Sequence, residues 1–328
     1  MKDIFLSIRG RVLLNVEALN MTESIGNYVK HRRVPILVPE KDGFTTYFVP
    51  AISGESIAHG FQLVLAEEGI KNSIPVCRLC KSGIFLKSTN KKVIEEAFKD
   101  KQIPNLEELE ELKELKEVEK FIIKNCLVED VGGFLYAEKE NIKRTSNFFV
   151  GYMVPVKEAL GNVVIESQLH SRYALGTPFV KEKGQMIYYI ELSSAVYTFS
   201  LDIDTTYIGR LTFSYESAGN DIFEESERKK RLETTLDSLK IFLLEQMFGA
   251  KKTRFLPIGE WESIVIAVSD KVWTVASPFS NRYIENTIKK KEKVDYNTKL
   301  YIYEREKETF EETIINAIDE AKSRISQS

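Results

Sequence analysis

Apolar and polar positions sort this chain into strands and helices before any chemistry is considered. The segment from Ile4 to Val16 mixes alternation with a continuous apolar end, as a central strand does. Phe44 to Val49, bounded by Gly43 and Pro50, reads as a short strand or hairpin arm. From Ser53 to Gly69 the period becomes helical. Ile57, Phe61, Val64 and Leu65 share a face, Ser53 or Ser56 can accept N–H bonds at the start, and Gly69 can stop the helix. Residues 70–128 read as an irregular insertion holding one long amphipathic helix. In it Leu106, Leu109, Leu112, Leu115, Val118 and Phe121 recur every third residue among Glu and Lys. So narrow a stripe suits packing within its own domain better than a partner. Strand patterns resume at Asn147–Val154, Val163–Tyr173 and Met186–Asp202, and Glu225–Phe248 is a second helix with Leu232, Leu236, Leu239, Leu243 and Met247 inward. Trp261–Val268 and Lys299–Glu304 are further strands, and a last helix runs from about Thr309 to Ile325. Strand, helix, strands, helix, strand is the order of a ferredoxin-like α+β core interrupted by long insertions. No repeat or Pro/Gly linker divides it, so residues 1–328 are expected to form one elaborated domain.

Composition adds little until charge is located. A chain of 328 residues with 43% hydrophobic positions can bury a large core. No apolar run approaches the roughly 20 residues that cross a bilayer, and three cysteines fit a reducing compartment, so a cytoplasmic protein without membrane contact is expected. The net charge is −3, but Glu107–Lys120 alone carries seven Glu and three Lys, a net −4, so the remainder sums to +1. Basic clusters then stand out at Lys30–Arg33, Lys143–Arg144, Lys251–Arg254 and Lys289–Lys293. The first, read as a loop between sheet and helix, is too dense in cations to be buried without partners. A polyanion whose phosphates release counterions would explain it.

Candidate chemistry is sparse. No G-x-x-x-x-G-K-[ST] or G-x-G-x-x-G run is present. Cys77-Arg-Leu-Cys80 has the spacing of half a zinc site, but the remaining thiol is Cys126 and no His lies near either in sequence; it reads as an incidental pair, and no metal or cofactor is expected. His59 suits a structural role, while His31 suits a phosphate or base contact. His170 shares a strand end with Arg172 and Tyr173, a combination on which single-stranded bases can stack, an exposed strand of mixed polar residues being the open alternative. Asp202 and Asp204 could together face a divalent ion, although solvated strand ends often show the same pattern. After Gly249, Lys251, Lys252 and Arg254 offer phosphate contacts, with a plain glycine cap and dipole-complementing cations as the competing account.

Several ordered blocks carry a resemblance: Asn20 with Glu23–Asn27, Lys30–Arg32, Val49–His59, Asp130–Tyr136, Arg144–Ser146, Gly151–Pro155 and Arg254–Pro257. Together they resemble the repeating backbone subunit of archaeal type I-A CRISPR effector complexes, the DevR-like branch of the RAMP superfamily that forms the Cascade backbone. The resemblance spans most of the chain to Pro257 and is weak at 70–124 and beyond Trp261. It implies an RRM-like palm with fingers (70–184) and a thumb (204–223) in a crescent, and copies stacked in a helical filament along a CRISPR RNA for antiviral defence. Its partners would be CRISPR RNA, the complementary target DNA strand, further copies and other Cascade subunits, with no catalysis of its own. The expected RNA contacts are Asn20, Lys30, His31, Arg32, Arg33, Arg144, Thr145, His170, Arg172, Lys251, Lys252 and Arg254. Two departures stand out: Ala250 occupies a position where relatives often have a second glycine, and the strands lack an RRM-type K/R-G-F/Y-G/A-F-V run. The alternative is a type III-like backbone subunit that cleaves RNA with a metal ion through Asp202, Asp204 or Asp130. A CRISPR RNA-processing nuclease using His31 or His170 as base is a third reading.

Overall fold

The computed structural model describes residues 1–104, 112–138, 141–174, 184–248, 256–305, 307 and 309–327, and their side chains except those of 22–23, 112–115, 172–174 and 184–186. In chain order the strands are β1 (Phe5–Glu17), β2 (Met21–Ile25), β3 (Tyr28–His31), β4 (Arg33–Glu40), β5 (Gly43–Pro50), β6 (Phe134–Ala137), β7 (Asn141–Arg144), β8 (Phe148–Val150), β9 (Val164–Ala174), β10 (Gly184–Asp204), β11 (Ile258–Ser269) and β12 (Lys299–Glu304). The helices are α1 (Gly54–Lys71), α2 (Arg78–Lys81), α3 (Lys91–Ala97), α4 (Leu112–Asn125), α5 (Leu127–Gly132), α6 (Glu225–Leu244), α7 (Tyr283–Lys293) and α8 (Phe310–Ser326).

β1 is the centre of the main sheet, antiparallel to β10 on one side and to β11 on the other, with β8 antiparallel to β10 and β12 to β11. Lateral order β11-β1-β10-β8 combines with the chain order β1, α1, β8, β10, α6, β11. Each helix therefore carries the chain from one strand to a parallel one two places away. The expected α+β class is met. β10 is long enough for two tasks: Ser193–Asp204 pairs with β1, while Gly184–Ser194 continues outward as a hairpin with β9 and meets β3 in parallel at Tyr189 and Ile190.

Helices α1, α6 and α8 cover one face of this sheet. Phe61, Phe199, Phe242, Phe248 and Trp261 form a chain of edge-on and tilted rings there, and Trp261 stacks on Phe310. Gly10 is required by that packing, because a Cβ would lie 2.6 Å from the Trp261 ring and 2.9 Å from the Ser263 carbonyl. Part of the opposite face is covered by the α7 segment, where Trp273, Val275 and Tyr283 pack on Val265 and Ala267. β11 is thus apolar on both sides, as its unbroken sequence run requires.

Three expectations are corrected. The Lys30–Arg33 run is no loop: Lys30 and His31 end β3, hairpinned to β2, and Arg33 opens β4. The stretch 70–184 is not one insertion, because β8 within it belongs to the main sheet; α2 to α5 with β6–β7 form a lobe before it, and β9 follows it. The long helix starts at Leu112 within the described residues, Leu106 and Leu109 lying outside them. Its Val118 and Ile122 are fully buried and Phe121 packs edge-on against Phe98, so the stripe serves the domain's own packing.

Candidate nucleic-acid interface

Two of the cations of 30–33, His31 and Arg33, find their counter-charges in residues remote in sequence. His31 is buried with its Nε2 2.5 Å from Glu17 Oε1 and its Nδ1 3.0 Å from the Arg32 carbonyl. Both ring nitrogens face acceptors, which the imidazolium alone can satisfy. Burial pulls its pKa down, yet the Glu17 hydrogen bond and charge, the Arg32 carbonyl and the Glu191 charge outweigh that and hold it above the usual value. The Tyr197 hydroxyl donates to the same Glu17 oxygen at 2.8 Å, and Leu19 N–H to the other. Asn20 is also buried, its Oδ1 accepting the Ser53 N–H at 2.6 Å where α1 begins. His31 and Asn20, expected as RNA contacts, are therefore internal: both ring nitrogens of His31 and the Oδ1 of Asn20 are spent holding β1, β3 and the start of α1 together.

What they hold is Arg32. Its N–H donates to the Asn20 carbonyl and its carbonyl accepts from Ala51, both at 3.0 Å. Its side chain is half-buried, with Nη1 3.3 Å from the Tyr152 hydroxyl and Nε without a hydrogen-bond partner among the described residues. Tyr152 lines a groove of about 580 Å³ together with Gly54, His59, Lys87, Ser146 and Phe148. Thr145, exposed, is adjacent in sequence to Ser146. His59 in its wall packs edge-on against Phe85, and burial lowers its pKa, in keeping with a structural role. Lys30 is half-buried in β3, and Arg33 is half-exposed with Nη2 3.1 Å from Glu191.

The other expected contacts divide three ways. His170 lies on β9 opposite Tyr188, their rings stacked at 5.4 Å and 21°. Tyr28 stacks on Tyr189 at 5.5 Å, and since neighbouring strand residues face opposite ways, the two pairs occupy opposite faces of the hairpin. Arg172 pairs with Met186 in the same ladder. Lys251, Lys252 and Arg254 lie outside the described residues, but the point where their loop departs is defined. A Cβ on Gly60 would lie 2.2 Å from the Met247 carbonyl, so the end of the α6 segment presses on α1 about 9 Å along the helix from Gly54.

Arg144 is a correction. It is fully buried, with Nη2 2.7 Å from Asp130 Oδ1, Nη1 3.2 Å from Glu119, and further bonds to the Asp130, Tyr207 and Arg210 carbonyls. Arg231 reaches the other Asp130 oxygen at 3.2 Å, while Glu119 also accepts from Thr212 and Phe213. The network fastens residues 207–213 to the lobe and has no free donor for a phosphate. The aspartates fare likewise: Asp202 is held by both Arg9 nitrogens at 2.6 and 2.9 Å, and Asp204 accepts from Thr206 N–H. Sequence reasoning passed over Tyr152, Lys87, Tyr28, Tyr188 and Tyr189; the density of tyrosines around β3 and β10 was the available signal.

A central antiparallel sheet backed by helices, with a hairpin extending from β10 and an arginine fixed beside a groove, makes this an α+β protein. Over residues 8–288 the chain matches the family described as "CRISPR-associated negative auto-regulator DevR/Csa2", and it belongs to that family. It is 36% identical over 291 residues to CRISPR-associated protein Cas7/Csa2 1 of Saccharolobus solfataricus, covering 88% of this chain and 84% of that protein. To the CRISPR-associated aCascade subunit Cas7/Csa2 2 of the same organism it is 33% identical over 280 residues, 85% of this chain and 84% of that one. Among solved structures, a chain of a "CRISPR RNA-guided surveillance complex, pre-nicking" superposes with a TM-score of 0.51 over 97% of this chain and all of that one. At 9% identity that likeness is one of fold. The Cascade backbone resemblance read from the ordered sequence blocks is borne out.

Proposed function

We propose that this protein is a non-catalytic subunit that grips the backbone of CRISPR RNA and stacks with further copies along it in a Cascade-type complex. The observation that carries this reading is Arg32: a guanidinium fixed through its own backbone by buried neighbours, paired with no carboxylate among the described residues, and reaching Tyr152 in the wall of a groove that Lys87 also lines. Such a group holds phosphate without reading a base. Thr145 next to the groove residue Ser146, and the end of the α6 segment pressed on α1 at Gly60, support a continuous track that Lys30 on β3 would extend, Lys251, Lys252 and Arg254 lying outside the described residues. His170 and Arg172 on the β9–β10 hairpin would engage RNA further out, by stacking and charge. Sequence choice would then fall to base pairing between guide and target DNA, as in another RNA-guided effector.

The strand order of the main sheet supports an RRM-like palm. The α2–α5 lobe with the β9–β10 hairpin is read as fingers and 204–223 as thumb, the latter anchored by Arg144, Glu119 and Arg228. Self-association is supported by Leu37, Phe44 and Phe48, which are 64%, 72% and 71% exposed on the β4–β5 hairpin and unsuited to lasting contact with water. Metal-dependent cleavage through an aspartate is disfavoured, because Asp130 and Asp202 are each neutralised by arginine. Among the described residues no helix is long and apolar enough to cross a membrane, and the protein is proposed to work in the cytoplasm. Fluorescence anisotropy of the purified chain with several unrelated single-stranded RNAs tests the reading. Comparable, salt-sensitive affinities are expected; binding confined to one sequence, or scission of the RNA, contradicts it.

A further inference from the structure

Cys126, remote in sequence from Cys77 and Cys80, is brought beside them. The three Sγ atoms lie within 4.8 Å of one another, and all three residues are buried. Leu127 N–H donates to the Pro75 carbonyl at 2.8 Å, locking the two segments that carry the thiols. Cys80 N–H points at Cys77 Sγ at 3.5 Å, and Cys80 Sγ donates to Glu129 Oε1 at 2.9 Å. Glu129 is wholly buried. Its Oε1 also accepts from Leu86 N–H at 3.0 Å, but its Oε2 has no hydrogen-bond partner. Three thiols alone could be explained as small apolar side chains. A buried carboxyl group against them, with one oxygen left without a partner, is not explained that way.

We infer that Cys77, Cys80, Cys126 and Glu129 form a structural zinc site that staples α2 and α5 into the lobe preceding β8. Glu129, in contact with Cys80 Sγ but outside the cluster of the three sulfurs, would turn its carboxylate in to complete a tetrahedral set of three sulfurs and one oxygen of the kind zinc takes. Bonds of about 2.3 Å to a tetrahedral ion place sulfurs roughly 3.8 Å apart, within reach of the observed cluster. Each binding thiol gives its proton to solvent, and Zn–S and Zn–O bonds replace the Cys80–Glu129 hydrogen bond. The set with Zn²⁺ carries −2, and the Lys87 ammonium, close enough to act on both Glu129 and Cys80, offsets part of it. Cys77 also lines a groove of about 420 Å³ with Pro75, Arg78 and Asn125, which gives an ion a way in.

Elemental analysis of the full chain, purified without metal resin or chelator, should find about one zinc per chain. After chelator stripping under reducing conditions, added Co²⁺ should give the intense thiolate-to-cobalt absorption. Cys126→Ser should lose both signals, and Glu129→Gln should release cobalt to a competing chelator at least about tenfold more readily. Folded, reduced wild-type protein that takes up neither zinc nor cobalt overturns the site, whatever the variants do. So does a cobalt spectrum that Cys126→Ser leaves unchanged.

Discussion

Two arginine centres invite comparison. Around Arg144 and Arg231, two guanidiniums meet the carboxylates of Asp130 and Glu119, all four side chains being 0% exposed, with Glu227 at the rim as a further partner of Arg231. Around Arg32 and Arg33, the carboxylates Glu17 and Glu191 are buried, but Arg33 is half-exposed and the half-buried Arg32 is paired with no carboxylate among the described residues. The same residue type, flanked in both cases by another cation in sequence, serves cohesion in one place and is poised for an external anion in the other. Cation density along the chain therefore marks a binding surface only where counter-charge from the rest of the fold falls short.

The comparison breaks most visibly at the buried centre. Arg144→Ala strands Asp130 and Glu119 in the interior and should destabilise the fold by about 3–5 kcal/mol, read by denaturant unfolding. A loss below about 1 kcal/mol would mean the pair contributes little and that water reaches it. His31 sharpens the contrast through pH. Its pKa is raised on folding, so its stabilisation is complete below the unfolded value of about 6.5 and is lost as pH rises through the folded one. Unfolding midpoints measured from about pH 6 to about pH 9 should fall in the wild type, and His31→Gln should remove that part of the slope. A parallel profile in both proteins would place the titration elsewhere. Arg33→Ala should cost less than about 1 kcal/mol, because its partner is reached from a half-exposed side chain.

Much of the framework was legible beforehand. β1, α1, β9, β10, α6, β11, β12 and α8 lie close to their sequence patterns, because each buries a face at period 2 or 3.6 or is apolar throughout. β2, β3 and β4 escaped notice because Lys30, Arg32 and Arg33 mask the alternation, and only Glu17 and Glu191 from other strands make that segment tolerable within a sheet. α7 escaped for a similar reason: its Lys289–Lys293 run reads as solvated charge, while Tyr283 and Thr287 bury its other side. At the candidate site, sequence marked the 30–33 region but could not separate Arg32 from His31 and Asn20. Neighbours in a strand face opposite ways, and the distant Glu17 that claims His31 is visible only once the chain has folded. The cysteine cluster was hidden by the same distance, 46 residues separating Cys80 from Cys126.

The central claim is that Arg32 neutralises a phosphate. The most direct measurement is the slope of log affinity against log salt for a single-stranded RNA, compared among wild type, Arg32→Ala and Lys229→Ala, the last a surface cation paired with Glu233 on α6. Arg32→Ala should change stability by less than about 0.5 kcal/mol and lower the slope by about 0.7, the share of one phosphate contact on a single strand, for every RNA tested. Lys229→Ala should leave the slope as it is. Equal slopes for wild type and Arg32→Ala would contradict the account.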